Sequence, residues 1–186
     1  MKCSVFIATS ADGYIAKHDG DIDWLHTSGN LEADMGNEDM GFKAFIESVD
    51  CMIMGRKCME KIASFNLSAE QWPYGNIRII VLSNTLSEAP KTIPAEIEFH
   101  SGDIKGLITN LESDGLKHAY IDGGTTITSF LELKLINEMT ITQAPLLLGD
   151  GIPLYGKLKQ SIILKNTKSK SFANDFVQIK YTVNYQ

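Results

Sequence analysis

The sequence predicts an α/β domain whose mostly parallel sheet is completed by antiparallel strands. Three observations lead there. Short apolar runs alternate with helical patterns through the first part of the chain. Twice, at Cys51–Lys57 and at Ala119–Thr126, an apolar run stops at glycine just where a helical pattern opens. The tail alternates apolar and polar residues, as antiparallel strands do.

The elements follow in order. Val5 to Ala8 reads as a buried strand that runs into Thr9-Ser10-Ala11-Asp12-Gly13-Tyr14-Ile15-Ala16. Residues 17 to 37 are polar, rich in Gly, Asp and Asn, contain Trp24 and show little periodicity. A loop of that length in a compact domain is commonly a lid or a binding loop. Met40, Phe42, Phe45, Ile46 and Val49 give a helix over Asp39–Val49. A strand at Cys51–Met54 precedes a helix at Lys57–Ala63, and Ile77–Leu82 and Ile97–His100 are strands. Ile104, Leu107, Ile108 and Leu111 mark a helix that stops near Asp114-Gly115. A strand at His118–Ile121 feeds a helix at Ile127–Leu135, and Glu138–Leu148 is a strand rich in Thr and Ile. After the turn at Gly149-Asp150-Gly151, Ser161–Asn166 and Phe176–Tyr185 pair as antiparallel strands across Asn174-Asp175.

Composition narrows the function. The 186 residues suit one domain, 1–186, with 44% hydrophobic and 22% charged residues, as in soluble globular proteins. A formal net charge of -6 argues against nucleic-acid binding, so a phosphate ligand would have to be attracted locally. Cys3, Cys51 and Cys58 form neither a disulfide framework nor a zinc pattern, which favours a reducing cytoplasm. The start is too short in apolar length for a secretion signal, and no run reaches membrane-span length. His18, His26, His100 and His118 lack metal-ligand spacing and read as structural or solvated. No metal is expected.

The glycine turns carry the chemistry. Gly55 frees the backbone, and Arg56 and Lys57 place two cations beside a helix N-terminus, a combination suited to phosphate; an ordinary βα turn with solvated basic residues explains the same residues. Gly123-Gly124-Thr125-Thr126 suits a pyrophosphate on a helix end, or a helix start capped by Thr. Neither turn is a Walker loop or a Rossmann Gly-x-Gly-x-x-Gly. Ser83-Asn84-Thr85 ends a strongly apolar strand, where ligands collect in open α/β sheets, though a plain turn is equally consistent. Asp39 is placed for an N-cap, or, in a cleft, for supplying a proton; Glu38 is the neighbouring alternative.

As an ordered set these segments resemble the dihydrofolate reductase-like superfamily, in the branch of the bacterial riboflavin-biosynthesis reductase domain. The resemblance runs over Phe6–Ala16, Met54-Gly55-Arg56-Lys57-Cys58-Met59-Glu60, Ile80-Val81-Leu82-Ser83, Asp122-Gly123-Gly124, Leu135–Met139 and Ala144–Gly151. It implies a three-layer α/β/α fold and an NADPH-dependent reductase, with NADH left open, acting by hydride transfer on a C=N or carbonyl group of a pterin-, pyrimidine- or sugar-like molecule. By the resemblance, Ala8 and Thr9 lie near the nicotinamide, and Gly20 to Trp24 form a lid. Gly55, Arg56, Lys57 and Cys58 meet the adenosine side, Ser83 and Asn84 flank the 2′-phosphate, and Gly123, Gly124, Thr125 and Thr126 hold the pyrophosphate. Asp39 takes the place of the reductase acid, and Asp12, Trp24, Phe42 and Lys43 are substrate-side candidates. Lys43 and Lys17 are candidates for a substrate phosphate. The chain departs from the pattern at Cys58, where Thr is usual, at Asn84, where Arg is frequent, and at Asn137, where Asp is frequent. No deaminase zinc motif is present, so only the reductase half of the riboflavin enzyme is implied. The riboflavin-pathway reductase proper, a dihydrofolate reductase-like activity on a pterin, and a non-catalytic nucleotide-binding dimer are the alternatives. A homodimer is expected from the resemblance.

Overall fold

Continuous apolar runs such as Cys51-Met52-Ile53-Met54 and Ile79-Ile80-Val81-Leu82 suit strands covered on both faces, and they lie near the centre of this molecule. The computed structural model describes residues 1–185. Strand β1 (Lys2–Ser10) is followed by β2 (Tyr14–Ala16), the short helices α1 (Trp24–Thr27) and α2 (Phe42–Ile46), β3 (Cys51–Gly55) and α3 (Arg56–Ser64). Then come β4 (Arg78–Leu82), β5 (Ile97–His100), α4 (Ile104–Ser113), β6 (His118–Asp122), α5 (Gly124–Glu132), β7 (Glu138–Ala144), β8 (Ile152–Pro153), β9 (Ile163–Ser171) and β10 (Val177–Asn184).

Eight strands form one sheet in the order β5-β4-β3-β6-β1-β7-β10-β9. From β5 to β7 every pairing is parallel. β10 is antiparallel to β7, and β9 is antiparallel to β10. The sheet is therefore mixed and mostly parallel, with antiparallel strands at its C-terminal end. Alternation along β3 sends Cys51 and Ile53 to one face and Met52 and Met54 to the other. The first face packs with Leu107 and Leu111 of α4 and Ile127 and Phe130 of α5. The second packs with Ile46 of α2 and Met59 and Ile62 of α3. A separate apolar cluster joins Trp24, Ala144, Phe172 and Phe176.

Several elements differ from the sequence expectation. Tyr14–Ala16 pairs with Ile152–Pro153 as a small second sheet, too short to leave a periodic signal. α2 covers only part of Asp39–Val49 because Gly41 enters it at φ +84. α5 opens at Gly124, three residues before its first large apolar residue, Ile127, and so takes both threonines into its first turn. β7 stops at Ala144, since Pro145 cannot donate to the ladder. β9 continues to Ser171 and is exposed along all of its 9 residues, which removes the one-sided burial that would have betrayed it.

Residues 17 to 41 are ordered without a ladder. The side chains of Asp19, Asp21, Asn30, Asp34, Glu38 and Asp39 each accept the N–H two residues ahead. Such local bonds satisfy the backbone where no strand does. Three ties hold the loop to the β9–β10 hairpin: Asn30 N–H to Asn174 O, Gln178 Nε2 to Met40 O, and the Lys170–Glu38 ion pair. Among the described residues no helix is long and apolar enough to cross a membrane.

Candidate active site

Parallel strands all end on one side, and the functional residues collect there. β3 and β6 are direct neighbours, so their glycine turns lie side by side. The two helices that follow interlock. A Cβ on Gly55 would lie 3.1 Å from Thr126 Oγ1, and a Cβ on Gly123 would strike Cys58 Sγ. Gly123 has φ +90, a conformation open to glycine and costly for other residues. A Cβ on Gly124 would meet the carbonyl oxygens of Pro153 and Leu154 at 2.8 and 3.0 Å. Neither α3 nor α5 has a side-chain N-cap. By contrast, Asp103 caps α4 by accepting from Lys105 N and Gly106 N. The open N–H groups and the dipoles of α3 and α5 thus converge on one region and favour an anion there.

One strand further out, a cavity of about 400 Å³ is lined by Arg56, Leu82, Ser83, Asn84, His100 and Ile104, with Thr85 and Gly102 at its edge. It unites Arg56, Ser83 and Asn84, which are 27 and 28 residues apart in sequence, because β3 and β4 end together. The Arg56 guanidinium bonds Glu60 one turn along α3 at 2.8 Å, so one of its faces is engaged. Ser83 Oγ accepts from Thr85 N and Leu86 N, which shapes the loop after β4. Lys57 is exposed in the first turn of α3.

A partly buried polar cluster lies beside the glycine turns. Tyr120 Oη donates to Phe6 O at 2.9 Å and reaches Asp122 Oδ1 at 3.4 Å. The Cys58 thiol lies close to the same carboxyl and helps to hold its charge. Burial pushes the Asp122 carboxyl up to about 6, against the opposing hydrogen bonds from Gly123 N–H, Tyr120 and Cys58. Burial likewise pushes the Cys58 thiol and the Tyr74 and Tyr120 phenols up, so all three stay protonated near neutrality. Cys58, which stands where the resemblance has Thr, points inward to Asp122 and is not a surface contact. Thr9, on β1, is 1% exposed, and its Oγ1 has no hydrogen-bond partner. Ala8, beside it, is half-buried and pairs with Thr142 of β7.

Other expected site residues make contacts within the protein. Asp39 is a cap: its carboxylate accepts Lys43 N at 2.7 Å and Gly41 N at 2.8 Å, and those bonds hold it below the usual carboxylate range. In this structure the carboxylate is engaged in capping α2 and stays ionised near neutrality. Asp12 is a loop clamp that accepts from Ser10 Oγ and from the N–H groups of Leu148 and Gly149, and these bonds hold it below its ordinary value. Trp24, 4% exposed, moors its loop in the third apolar cluster and does not face a cleft. Phe42 packs edge-on to Phe6 at 5.7 Å and to Tyr74 at 6.2 Å, on the same side of the sheet as Tyr120. Lys43 is exposed on α2, and Lys17 is paired with Asp21. Gly20 turns the loop at φ +82 with its N–H on Lys17 O. The neighbouring 360 Å³ cavity is lined by Lys17, His18, Asp19, Leu148 and Asp150.

Asp122, Tyr120 and His100 are the site residues that the sequence reading missed. Asp122 and Tyr120 alternate on a strand that reads as apolar, and the one available signal was a carboxylate directly before paired glycines.

Comparison with known proteins agrees with this geometry. A model of the RibD C-terminal domain matches residues 2–178. A Shewanella sp. PV-4 protein of known crystal structure, provisionally assigned to riboflavin biosynthesis, is 40% identical, with each chain covered completely and a TM-score of 0.88. The uncharacterized protein YwjB of Bacillus subtilis (strain 168) is 30% identical over 182 residues, 97% of each chain. At the level of fold, dihydrofolate reductase from Enterococcus faecalis, solved with NADP(H), superposes with a TM-score of 0.64 at 14% identity, over 99% of this chain and 97% of that one.

Proposed function

The chain belongs to the RibD C-terminal domain family, and from that premise we propose that it is an NADPH-dependent reductase of a C=N or carbonyl group in a pterin-, pyrimidine- or sugar-like molecule. One observation carries the proposal: two uncapped, glycine-lined helix N-termini stand side by side, with an Arg- and Ser-lined cavity one strand away. That is the spacing problem a dinucleotide poses, with a pyrophosphate in the middle and a phosphorylated adenosine at one end.

The residues fit such a cofactor. Gly124, Thr125 and Thr126 offer backbone N–H groups where no side chain at Gly123 or Gly124 could stand. Arg56, Ser83 and Asn84 would take the 2′-phosphate, and Leu82 and Ile104 supply apolar walls for the adenine. The orphaned Thr9 Oγ1 is a buried hydroxyl in want of a partner at the nicotinamide end. When bound, NADPH supplies the hydride, and the protein supplies placement and exclusion of water.

Asp122 is the residue suited to hold the accompanying proton. Burial raises its carboxyl to about 6, well above Asp39, and Tyr120 Oη lies 3.4 Å from it. Phe6 and Phe42 give an apolar aromatic surface against which a flat heterocycle can lie. The test is direct. NADPH fluorescence should be enhanced and blue-shifted on mixing, and NADPH should then be consumed with one member of a panel of pterins, pyrimidines and sugar lactones or aldehydes. An unchanged spectrum at high protein concentration would overturn the reading. Binding without consumption across the panel would favour a non-catalytic nucleotide-binding protein. The kinship to a protein provisionally assigned to riboflavin biosynthesis supports a narrower reading, the riboflavin-pathway reductase itself. Rescue of a riboflavin-requiring strain lacking that step decides it.

A further inference from the structure

The cavity beside Arg56 contains a side chain with no assigned part in binding. His100 ends β5 and lines that cavity together with Arg56, Ser83 and Asn84. Its Nε2 lies 3.2 Å from Asp103 O. A carbonyl oxygen only accepts, so this nitrogen carries the hydrogen, and in the neutral ring Nδ1 keeps its lone pair. Nδ1 is then the nitrogen left for a ligand.

The surroundings are short of positive charge. Arg56 is the one cation among the lining residues, and it is shared with Glu60. Ser83, Asn84 and Thr85, from the loop after β4, are neutral. On the α4 side the Asp103 carboxylate is turned into its own helix, onto Lys105 N and Gly106 N. Gly102, at φ +102 and with nothing within 4 Å of a Cβ, leaves the approach to the ring open. The frequent Arg of the family pattern is Asn84 here. A dianion entering this cavity therefore meets half of one guanidinium, a hydroxyl and an imidazole.

We infer that His100 is a further anchor for the 2′-phosphate of the cofactor and takes a proton from solvent at Nδ1 as that phosphate binds. The inference rests on the pyridine-nucleotide reading above and adds to it a residue and a linked proton. Protonation turns Nδ1 from an acceptor, which repels phosphate oxygen, into a charged donor, while Nε2 keeps its bond to Asp103 O. No covalent bond of the ligand changes. The consequence is selectivity: cofactor with a 2′-phosphate gains the contact, and cofactor without it gains nothing.

The experiment uses two nucleotide probes on the whole protein, adenosine 2′,5′-bisphosphate and adenosine 5′-monophosphate, followed by calorimetry and by NMR of the imidazole protons. His100→Gln identifies the His100 signal by its disappearance, and its circular dichroism reports the fold. The expected result is a shift of that signal toward the charged form with the bisphosphate only. Proton uptake on binding should appear in buffers of different ionisation enthalpy, and the variant should lose roughly tenfold in bisphosphate affinity with monophosphate affinity unchanged. An unmoved His100 signal, or equal losses for both probes, overturns the inference and leaves the dinucleotide reading standing. Failure of both probes to bind the wild-type protein overturns the two together.

Discussion

The Sγ of Cys58 occupies the space into which a Cβ on Gly123 would project. One helix thereby packs directly into the turn that starts the other, and two turns 68 residues apart in sequence become a single surface. Gly123→Ala should add a steric conflict to the strain of φ +90. The expected cost is about 1–3 kcal/mol, seen as a melting temperature lower by roughly 3–10 °C, together with loss of nucleotide binding. Gly13→Ala is the control, since Gly13 has φ +89 but nothing within 4 Å of a Cβ. Equal shifts in the two variants would show that the contact with Cys58 is immaterial.

Asp122 predicts a pH dependence of unusual sign. Its folded-state value is raised from 3.8 to about 6, so the folded protein binds the proton more tightly than the unfolded chain. Stability contributed by this group is full below the unfolded value, falls as pH rises through that window, and is gone above about pH 6. Asp122→Asn should therefore stabilise the fold at pH 8 by up to about 3 kcal/mol and much less near pH 4. The same variant should lower kcat by about 10²–10⁴ while leaving NADPH affinity within a few-fold. Chemical denaturation at the two pH values, with steady-state kinetics, checks both. Asp39→Ala should leave turnover within roughly a few-fold of wild type, as expected of a helix cap.

Glu60 engages the Arg56 guanidinium that the proposed 2′-phosphate would also use. Arg56→Ala should weaken NADPH by about tenfold or more and NADH little. Glu60→Gln should act in the opposite direction and tighten NADPH a few-fold, because it frees the fork. Fluorescence titration with both cofactors measures the ratio. Equal losses of NADPH and NADH in Arg56→Ala would remove the 2′-phosphate role.

Asp12 holds the loop after β7 by accepting the N–H groups of Leu148 and Gly149. Asp12→Ala should speed hydrogen exchange at those two amides and leave Thr140 and Ile141, inside the β7 ladder, protected. Because the folded-state value of Asp12 is lowered, the clamp is intact above the ordinary carboxylate range and is lost as pH falls below it. Amide exchange at neutral and acidic pH reads this directly.

The parallel strands and both glycine turns were legible in the sequence, because a strand buried on both faces writes an unbroken apolar run and a strand-to-helix turn packed as closely as Gly123 and Gly124 are demands glycine. Arg56, Ser83, Gly123 and Gly124 could be placed at the strand ends for that reason. Asp122 was not, since its significance depends on burial and on Tyr120 and Cys58, which reach it through space. Asp39 stayed ambiguous because a carboxylate before a helix looks the same whether it caps or catalyses; the structure shows the cap. The exposed β9 and the two-residue β8 have too little one-sided burial to leave a pattern.

The loop that spans residues 17 to 41 takes its shape from bonds that close over two residues each, with few ties to the hairpin beside it. None of those bonds runs to β3, β6 or the glycine mouths. Sequence drift in this segment can therefore reshape the loop without disturbing the strands that carry both turns.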